Sequence, residues 1–297
     1  MTEKGEKMDK RSLIYIVLAG ITWGMASIFV NTLSFFGFTP TQISAIRNVV
    51  AAIIICIYAA IKNPKIFKAP IKEIVLFIIS GTCIYLTNAF YYISMKMTSP
   101  STAVVLMYLA PIIVMIISVV FMGEKLTLRK FFSIIGAFLG CALVTGVIGG
   151  IRFSVMGIII GALSGITYSI YCIFAKIQMR RGDDALCATA YCFITAGILS
   201  LVFSNPANII RIVSVAPLKI IPVALLMGVC VGALPYFLYT LASKKLSAST
   251  ASAMATIEPL TGTIVSVMVF NEVLSLGGII GIVLILGSVI VLSYCKD

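Results

Sequence analysis

Ten stretches of mostly apolar residues succeed one another along the chain, at about 13–31, 42–61, 74–95, 101–121, 128–145, 156–176, 184–203, 221–242, 250–270 and 275–294. A bilayer span takes about 20 such residues at about 1.5 Å of helical rise each. The pattern therefore predicts an all-α integral membrane fold of ten transmembrane helices. Roughly 97 of the 297 residues are left for eleven connecting segments, about nine residues each once spans of that length are set aside. Segments that short hold no soluble catalytic domain, nucleotide-binding fold or receptor ectodomain, so the function belongs to the bundle.

The polar punctuation repeats. Residues 98–128 align without a gap to 246–276 at an offset of 148, with 11 of 31 positions identical, among them Pro111 with Pro259 and Glu124 with Glu272. The same offset places Tyr91 on Tyr239 and Lys96 on Lys244. An offset of 145 places Ile21-Thr22-Trp23 on Ile166-Thr167-Tyr168 and Phe29 on Phe174. The chain thus reads as a cytoplasmic tail over 1–12 and two copies of a five-helix unit, 13–148 and 149–297, joined near Val147 to Phe153. Five is odd, so the second copy enters the membrane from the opposite side, giving two inverted five-helix repeats able to exchange conformations about a central site. Glycines four apart (Gly20/Gly24, Gly136/Gly140, Gly157/Gly161/Gly165, Gly277/Gly281) read as close helix contacts in lipid.

Composition agrees with the pattern, since 61% of residues are hydrophobic and 11% charged, against about 25% charged in soluble domains. The net charge of +12 would point to nucleic acid in a soluble protein, but the positions decide otherwise. With the N-terminus inside, 17 of 22 basic residues fall on the cytoplasmic side, four outside (Lys96, Arg152, Arg211, Lys219), and Arg47 lies within a span. The positive-inside rule then puts both termini in the cytoplasm of a cell whose plasma membrane the chain spans, with the lipid bilayer as partner and nucleic acid excluded. The N-terminal apolar run lacks an A-x-A cleavage site and reads as an uncleaved first helix.

Eight cysteines are scattered over seven spans without close pairs, and histidine is absent. No metal site is expected from such a set, and zinc-dependent proteolysis is excluded. No cofactor-binding or G-x-x-x-x-G-K-[ST] loop is present.

Trp23-Gly24 in the first span, Arg47 in the second, Ala110-Pro111 followed by Gly123-Glu124, and Glu258-Pro259 followed by Asn271-Glu272 together resemble an EamA-type member of the drug/metabolite transporter superfamily. The resemblance covers essentially the whole chain. It implies a secondary transporter of small metabolites, often an amino-acid or drug exporter, with substrate held between the halves. The second half departs from the pattern at Asn271, where the first has Gly123.

Of ten acidic residues only Glu258 lies deep, roughly 12 Å into its span by helical rise. An ionisable group at that depth is costly and marks a functional candidate, the plain alternative being a permanently protonated packing carboxyl. Pro259 is expected to free the carbonyl around Ala255. The repeat position of Glu258 is Ala110, so the scaffold is doubled while the carboxyl is single, suiting one substrate amine or one proton per cycle. Around it the helical faces place Trp23, Ser27 and Asn31; Tyr85, Asn88 and Tyr92; Tyr108; Ser164, Tyr168 and Tyr171; and Tyr236. Tyrosines at midplane do not suit lipid contact, and aromatic faces with one carboxylate suit an amino or quaternary ammonium group. Arg47 is either a snorkelling anchor or a lure for a substrate carboxylate. Tyr91 and Tyr239 lie about 6 and 5 Å from opposite span ends, either as reciprocal gates or as members of the interfacial aromatic belts.

The reading is a secondary transporter for a small-molecule substrate, driven by protons or by the substrate's own gradient. The alternatives are an integral-membrane enzyme, whose acid–histidine or nucleophile–base cluster is missing, and a non-transporting scaffold, which would tolerate an apolar centre.

Overall fold

The computed structural model describes residues 9–62, 69–146, 154–271 and 273–295. The tail carrying Glu3, Lys4, Glu6 and Lys7, the loop with Lys65 and Lys68, the joint with Arg152, and Glu272, Lys296 and Asp297 lie outside them. The described residues form helices and connections without a strand. In order these are α1 (Lys10–Gly24), α2 (Ala26–Phe35), α3 (Pro40–Lys62), α4 (Ile71–Met97), α5 (Pro100–Met107), α6 (Ala110–Met122), α7 (Leu128–Val144), α8 (Val155–Arg181), α9 (Ala185–Phe203), α10 (Pro206–Val215), α11 (Pro217–Met227), a π-helical turn (Gly228–Ala233), α12 (Leu234–Ala242), α13 (Ala248–Met254), α14 (Ile257–Phe270) and α15 (Leu276–Ser293).

Among the described residues nine continuous or broken helices are long and apolar enough to cross a membrane. The fifth expected span forms α7, with 17 residues. The chain is a multi-pass membrane protein. A short amphipathic helix that the hydropathy pattern did not announce, α10, stands between the seventh and eighth spans. It is capped by Asn205, which adopts a left-handed conformation (φ 57°) and accepts from the Asn208 N–H.

Side-chain caps fix several helix starts, as unsatisfied N–H groups require in an apolar surrounding. Ser99 Oγ accepts from Thr102 N–H and Ser247 Oγ from Thr250 N–H; Thr127 accepts from Lys130 N–H and Ser275 from Gly278 N–H. These are repeat-equivalent pairs. So are Gly123 and Asn271, which end α6 and α14 in the same left-handed region at φ 68° and 55°. Asparagine tolerates that region, so the departure from glycine leaves the local backbone unchanged.

Four of the spans are interrupted. The first breaks at Met25, the fourth at Tyr108–Leu109, the ninth at Ala255–Thr256, and the eighth relaxes into the π turn. The breaks in the fourth and ninth spans are repeat-equivalent, each just ahead of a proline that removes one helical donor. The carbonyl expected to be freed by Pro259 is not left open: Ala255 O accepts the Glu258 N–H at 2.9 Å, closing a tighter turn.

The helices pack as α4 on α8, α1 on α12, α7 on α15, α3 on α9, α5 and α6 on α8, and α13 and α14 on α1. Small residues set the closest approaches. Gly140 and Gly281 face each other reciprocally, a Cβ on either falling 2.9 or 2.6 Å from the other's carbonyl oxygen. Gly277 makes no such approach, its nearest neighbours lying 3.8 Å or more away. On α1, Gly20 and Gly24 lie against Ile257, Glu258, Thr261 and Gly262 in the first turns of α14, which fixes the backbone that carries Glu258.

Candidate functional site

The interrupted helices surround an aromatic cluster. Trp23 meets Tyr236 edge-on at 5.0 Å and Tyr239 at 5.9 Å between ring centroids. Tyr171 lies 5.5 Å from Tyr236, 5.8 Å from Tyr239 and 6.2 Å from Tyr168, stacked on the last. Each of these five rings is buried. They come from α1, α8 and α12, with α12 packed against each of the other two. Phe193 of α9 closes the cluster edge-on to Tyr236 at 5.1 Å; the sequence reading missed it because a phenylalanine in an apolar helix carries no distinguishing signal.

Glu258 stands at the second position of α14, in the first turn. A helix N-terminus favours a negative charge there. Its side chain is partly open, unlike its buried neighbours Ile257 and Leu260. Tyr91, Tyr108, Tyr168, Tyr236, Cys141 and Arg47 all lie within its electrostatic reach. Tyr108 is the neighbour whose hydroxyl faces the Glu258 carboxyl, short of a well-formed hydrogen bond. Trp23 Nε1 and Ser27 Oγ are buried without a hydrogen-bond partner, and the buried Tyr239 hydroxyl faces the Cys172 thiol without a well-formed hydrogen bond. Buried polar groups are almost always satisfied, and leaving each one unpaired costs about 1–3 kcal/mol. Trp23 and Tyr239 carry two of these atoms within the aromatic cluster, and Tyr108 carries a third beside Glu258.

Arg47 does not snorkel. It is the eighth residue of α3, 8% exposed, and turns inward. Its Nε and Nη2 donate to Asn48 Oδ1 at 3.2 and 3.1 Å, and Asn48 Nδ2 donates to Ser200 Oγ at 2.9 Å. Room for the arginine stem comes from the π turn, where Gly232 rests against Arg47 and Ala51. Arg47 reaches electrostatically to Tyr92, Tyr236 and Glu258, yet it forms no ion pair with Glu258 among the described residues. Ser44, Arg47, Asn48 and Ala51 share one helical face, and that polar and small stripe was the signal available in the sequence.

Asn88 is set apart from this centre. Its amide donates to Ile84 O of its own helix at 2.6 Å, and it lines a cleft of about 30 Å³ with Thr41, Ser44, Tyr85, Tyr92 and Ser200. That is room for a water or two, between the Arg47 region and the bundle end where α3 begins. Tyr91 pairs edge-on with Tyr92 at 5.4 Å. Tyr239 is wholly enclosed beneath Trp23 and Tyr171, which removes it from any lipid-facing belt. Among the described residues no three Cys, Asp or Glu side chains gather as metal ligands would.

A multi-pass helical bundle that encloses a polar, aromatic-lined centre has the architecture of a membrane transport protein. The chain belongs to the EamA-like transporter family, whose model matches residues 10–146 and again 155–294. It is 26% identical over 294 residues to an uncharacterized transporter of Clostridium kluyveri, covering 95% of this chain and 93% of that one. It is 26% identical over 291 residues to the uncharacterized transporter YyaM of Bacillus subtilis, covering 94% and 91%. A crystal structure 19% identical in sequence superposes with a TM-score of 0.77 over 95% of this chain and 96% of that one, a likeness of fold alone.

Proposed function

We propose that the chain is a secondary transporter of a small zwitterionic amine, an amino acid or a close relative, working by alternating access in the plasma membrane with both termini cytoplasmic. The observation that carries this reading is the pair Arg47 and Glu258, Arg47 buried and Glu258 partly open, opposite charges within electrostatic reach of each other without an ion pair between them among the described residues, in a bundle that also buries Trp23 Nε1, Ser27 Oγ, Tyr108 Oη and Tyr239 Oη. A charge inside a membrane bundle is expensive unless compensated. A substrate ammonium at Glu258 and a substrate carboxylate at Arg47 compensate both at once. The rings of Trp23, Tyr168, Tyr171 and Tyr236 take the cationic end and the apolar body, and Trp23 Nε1, Tyr108 Oη and Tyr239 Oη supply donors.

Glu258 holds either the amine or a proton, not both. Mutually exclusive occupancy of one carboxyl couples proton movement to substrate movement in opposite directions, with export of the substrate as the family resemblance implies.

Ten spans in two inverted halves, 13–148 and 149–297, supply the moving parts. Four observations support that reading. The family model matches each half separately. The broken fourth and ninth spans interrupt at equivalent residues. The caps Ser99 and Thr127 and the left-handed terminus Gly123 have their counterparts in Ser247, Ser275 and Asn271. Finally, adding five to a span's number carries the pair α4·α8 onto α12·α1, and carries α7·α15 and α3·α9 onto themselves, all of which pack. Discontinuous helices meeting near the midplane at a repeat interface are the usual construction of a transporter site.

The test is thermal stabilisation of the purified protein by three compounds sharing one side chain: the amino acid, its decarboxylated amine and its deaminated acid. A ligand that binds the folded state raises the apparent melting temperature. The zwitterion should stabilise most, Arg47→Gln should erase its advantage over the amine, and Glu258→Gln its advantage over the acid. Equal stabilisation by all three across a panel of side chains would remove the zwitterion reading.

A further inference from the structure

At the opposite end of the bundle from the Asn88 cleft lies a second, strongly basic cavity of about 370 Å³, lined by Glu124, Lys125, Lys130, Lys176, Arg180 and Lys245 together with Gly123 and Ser247. Basic residues at a cytoplasmic end need no explanation beyond the positive-inside rule. What that rule leaves unexplained is their burial and convergence: Lys130 is 2% exposed and Lys176 6%.

The floor is tightly built. Lys130 Nζ donates to Ser247 Oγ at 2.8 Å and pairs with Glu124 at 3.5 Å. Glu124 accepts from the Ala248 N–H at 2.8 Å and from the Ser249 hydroxyl, so its carboxylate is committed to that floor. Lys176 Nζ donates to Ser243 O and Leu246 O at 2.9 and 2.6 Å. The rim is different. Among the described residues Arg180 donates to Met122 O at 3.2 Å, while Lys125 and Lys245 are exposed. Five cations against one carboxylate leave the lining at a formal +4. The repeat does not impose this cluster, because the equivalents of Lys125, Lys130, Lys176 and Arg180 are Val273, Gly278, Asn31 and Phe35.

We propose that this cavity is a binding site for a phosphate group, held by the rim cations Lys125, Arg180 and Lys245 over the Lys130–Glu124 floor and distinct from the central substrate site. Ammonium and guanidinium groups converging from several directions suit a multiply charged tetrahedral anion. The same chemistry is offered by inorganic phosphate in solution and by the headgroup of an anionic phospholipid. The rim joins residues of both halves, Lys125 from the first and Arg180 and Lys245 from the second, so an occupant ties the halves together at this end.

The experiment follows the melting temperature of the full chain in a neutral detergent as inorganic phosphate is added at constant ionic strength. The wild type should show a saturable rise. Lys125→Gln/Arg180→Gln/Lys245→Gln should lose it, while Lys10→Gln/Lys62→Gln/Lys72→Gln, which removes as many charges elsewhere, should keep it. If the triple variant does not fold, the exposed single changes Lys125→Gln and Lys245→Gln should each raise the half-saturating phosphate concentration several-fold. A second arm uses nanodiscs of phosphatidylcholine with and without one quarter phosphatidylglycerol. A lipid occupant predicts stabilisation by phosphatidylglycerol and loss of the phosphate response in its presence; a soluble phosphate occupant predicts that the response survives. Absence of any wild-type response to phosphate and to phosphatidylglycerol, or an equal response from the rim variants, would overturn the site.

Discussion

Gly24 is the residue through which packing is tied most tightly to the site. A methyl group placed there would fall 2.4 Å from Thr261 Cβ, 2.7 Å from Glu258 O and 2.9 Å from Gly262 N. Carbon contacts rest at about 3.5–4.0 Å, so Gly24→Ala demands a separation of about 1 Å between α1 and α14. Two of the three atoms are backbone and cannot rotate away. Overpacking of this kind costs about 1–3 kcal/mol, and the displaced segment carries Glu258 while the displacing one carries Trp23. If that cost falls wholly on the substrate-bound geometry, affinity drops about 5- to 150-fold, since about 1.4 kcal/mol is a factor of ten. The comparison is Gly20→Ala, whose first two contacts are atoms of the Ile257 side chain at 2.9 and 3.1 Å, for which the loss should be smaller. Counterflow in proteoliposomes gives the half-saturating substrate concentration, and a melting curve of the same preparation separates misfolding from misplacement. Wild-type saturation by Gly24→Ala would refute the claim that this contact sets the site.

Three further outcomes follow from the same geometry. Asp183, in the turn between α8 and α9, is held above its ordinary value of 3.8 by burial, with Arg181 acting the other way, and its Oδ2 has no hydrogen bond. The folded state therefore favours the neutral acid, whose stabilising contribution is complete below the unfolded value and lost as pH rises through the folded one; Asp183→Asn should raise the melting temperature at pH 7 but not near pH 3, and equal effects at both would contradict this. Tyr91→Ala should expose a reporter cysteine near Glu258 to an impermeant thiol reagent from outside only, and Tyr239→Ala from inside only, whereas two silent variants would end the reading of the pair as reciprocal gates. Single cysteines at positions 72 and 219 in a cysteine-free background should label from opposite sides, cytoplasmic for the first, and labelling from one side would overturn the inverted arrangement.

Hydropathy placed the nine helices that are long and apolar enough to cross a membrane among the described residues, because lipid demands long apolar segments, but it announced neither α10 nor the breaks within four spans. The convergence of Trp23, Tyr168, Tyr171 and Tyr236 was legible as well, since a tyrosine in mid-span has few bland explanations, whereas Tyr239, placed by helical rise near a span end, lies fully buried against Trp23 and Tyr171. The place of Arg47 was not legible. Its distance from the span end permits snorkelling, and only the helical face it shares with Ser44 and Asn48, and the π turn that makes room for it, turn it inward. The π turn itself leaves little trace beyond Gly228 and Gly232. Asn88, which an amide in a span suggests as a site residue, donates to Ile84 O and borders the small cleft beside Tyr85 and Tyr92. Ala110 and Glu258 show what duplication hides. Ser169 donates to the Ala110 carbonyl at 3.3 Å where Gly24 crowds that of Glu258, so equivalent backbones are met by a hydroxyl in one half and by bare helix in the other.

The most direct test of the central claim is counterflow of a labelled amino acid by Glu258→Gln in proteoliposomes, across a range of pH and beside the wild type. The substitution keeps the shape of the side chain and removes both its charge and its proton exchange. The account predicts that the variant inserts and melts like the wild type, binds the zwitterion weakly, and shows no pH-dependent flux. Wild-type flux with wild-type pH dependence would contradict it and leave Glu258 as packing.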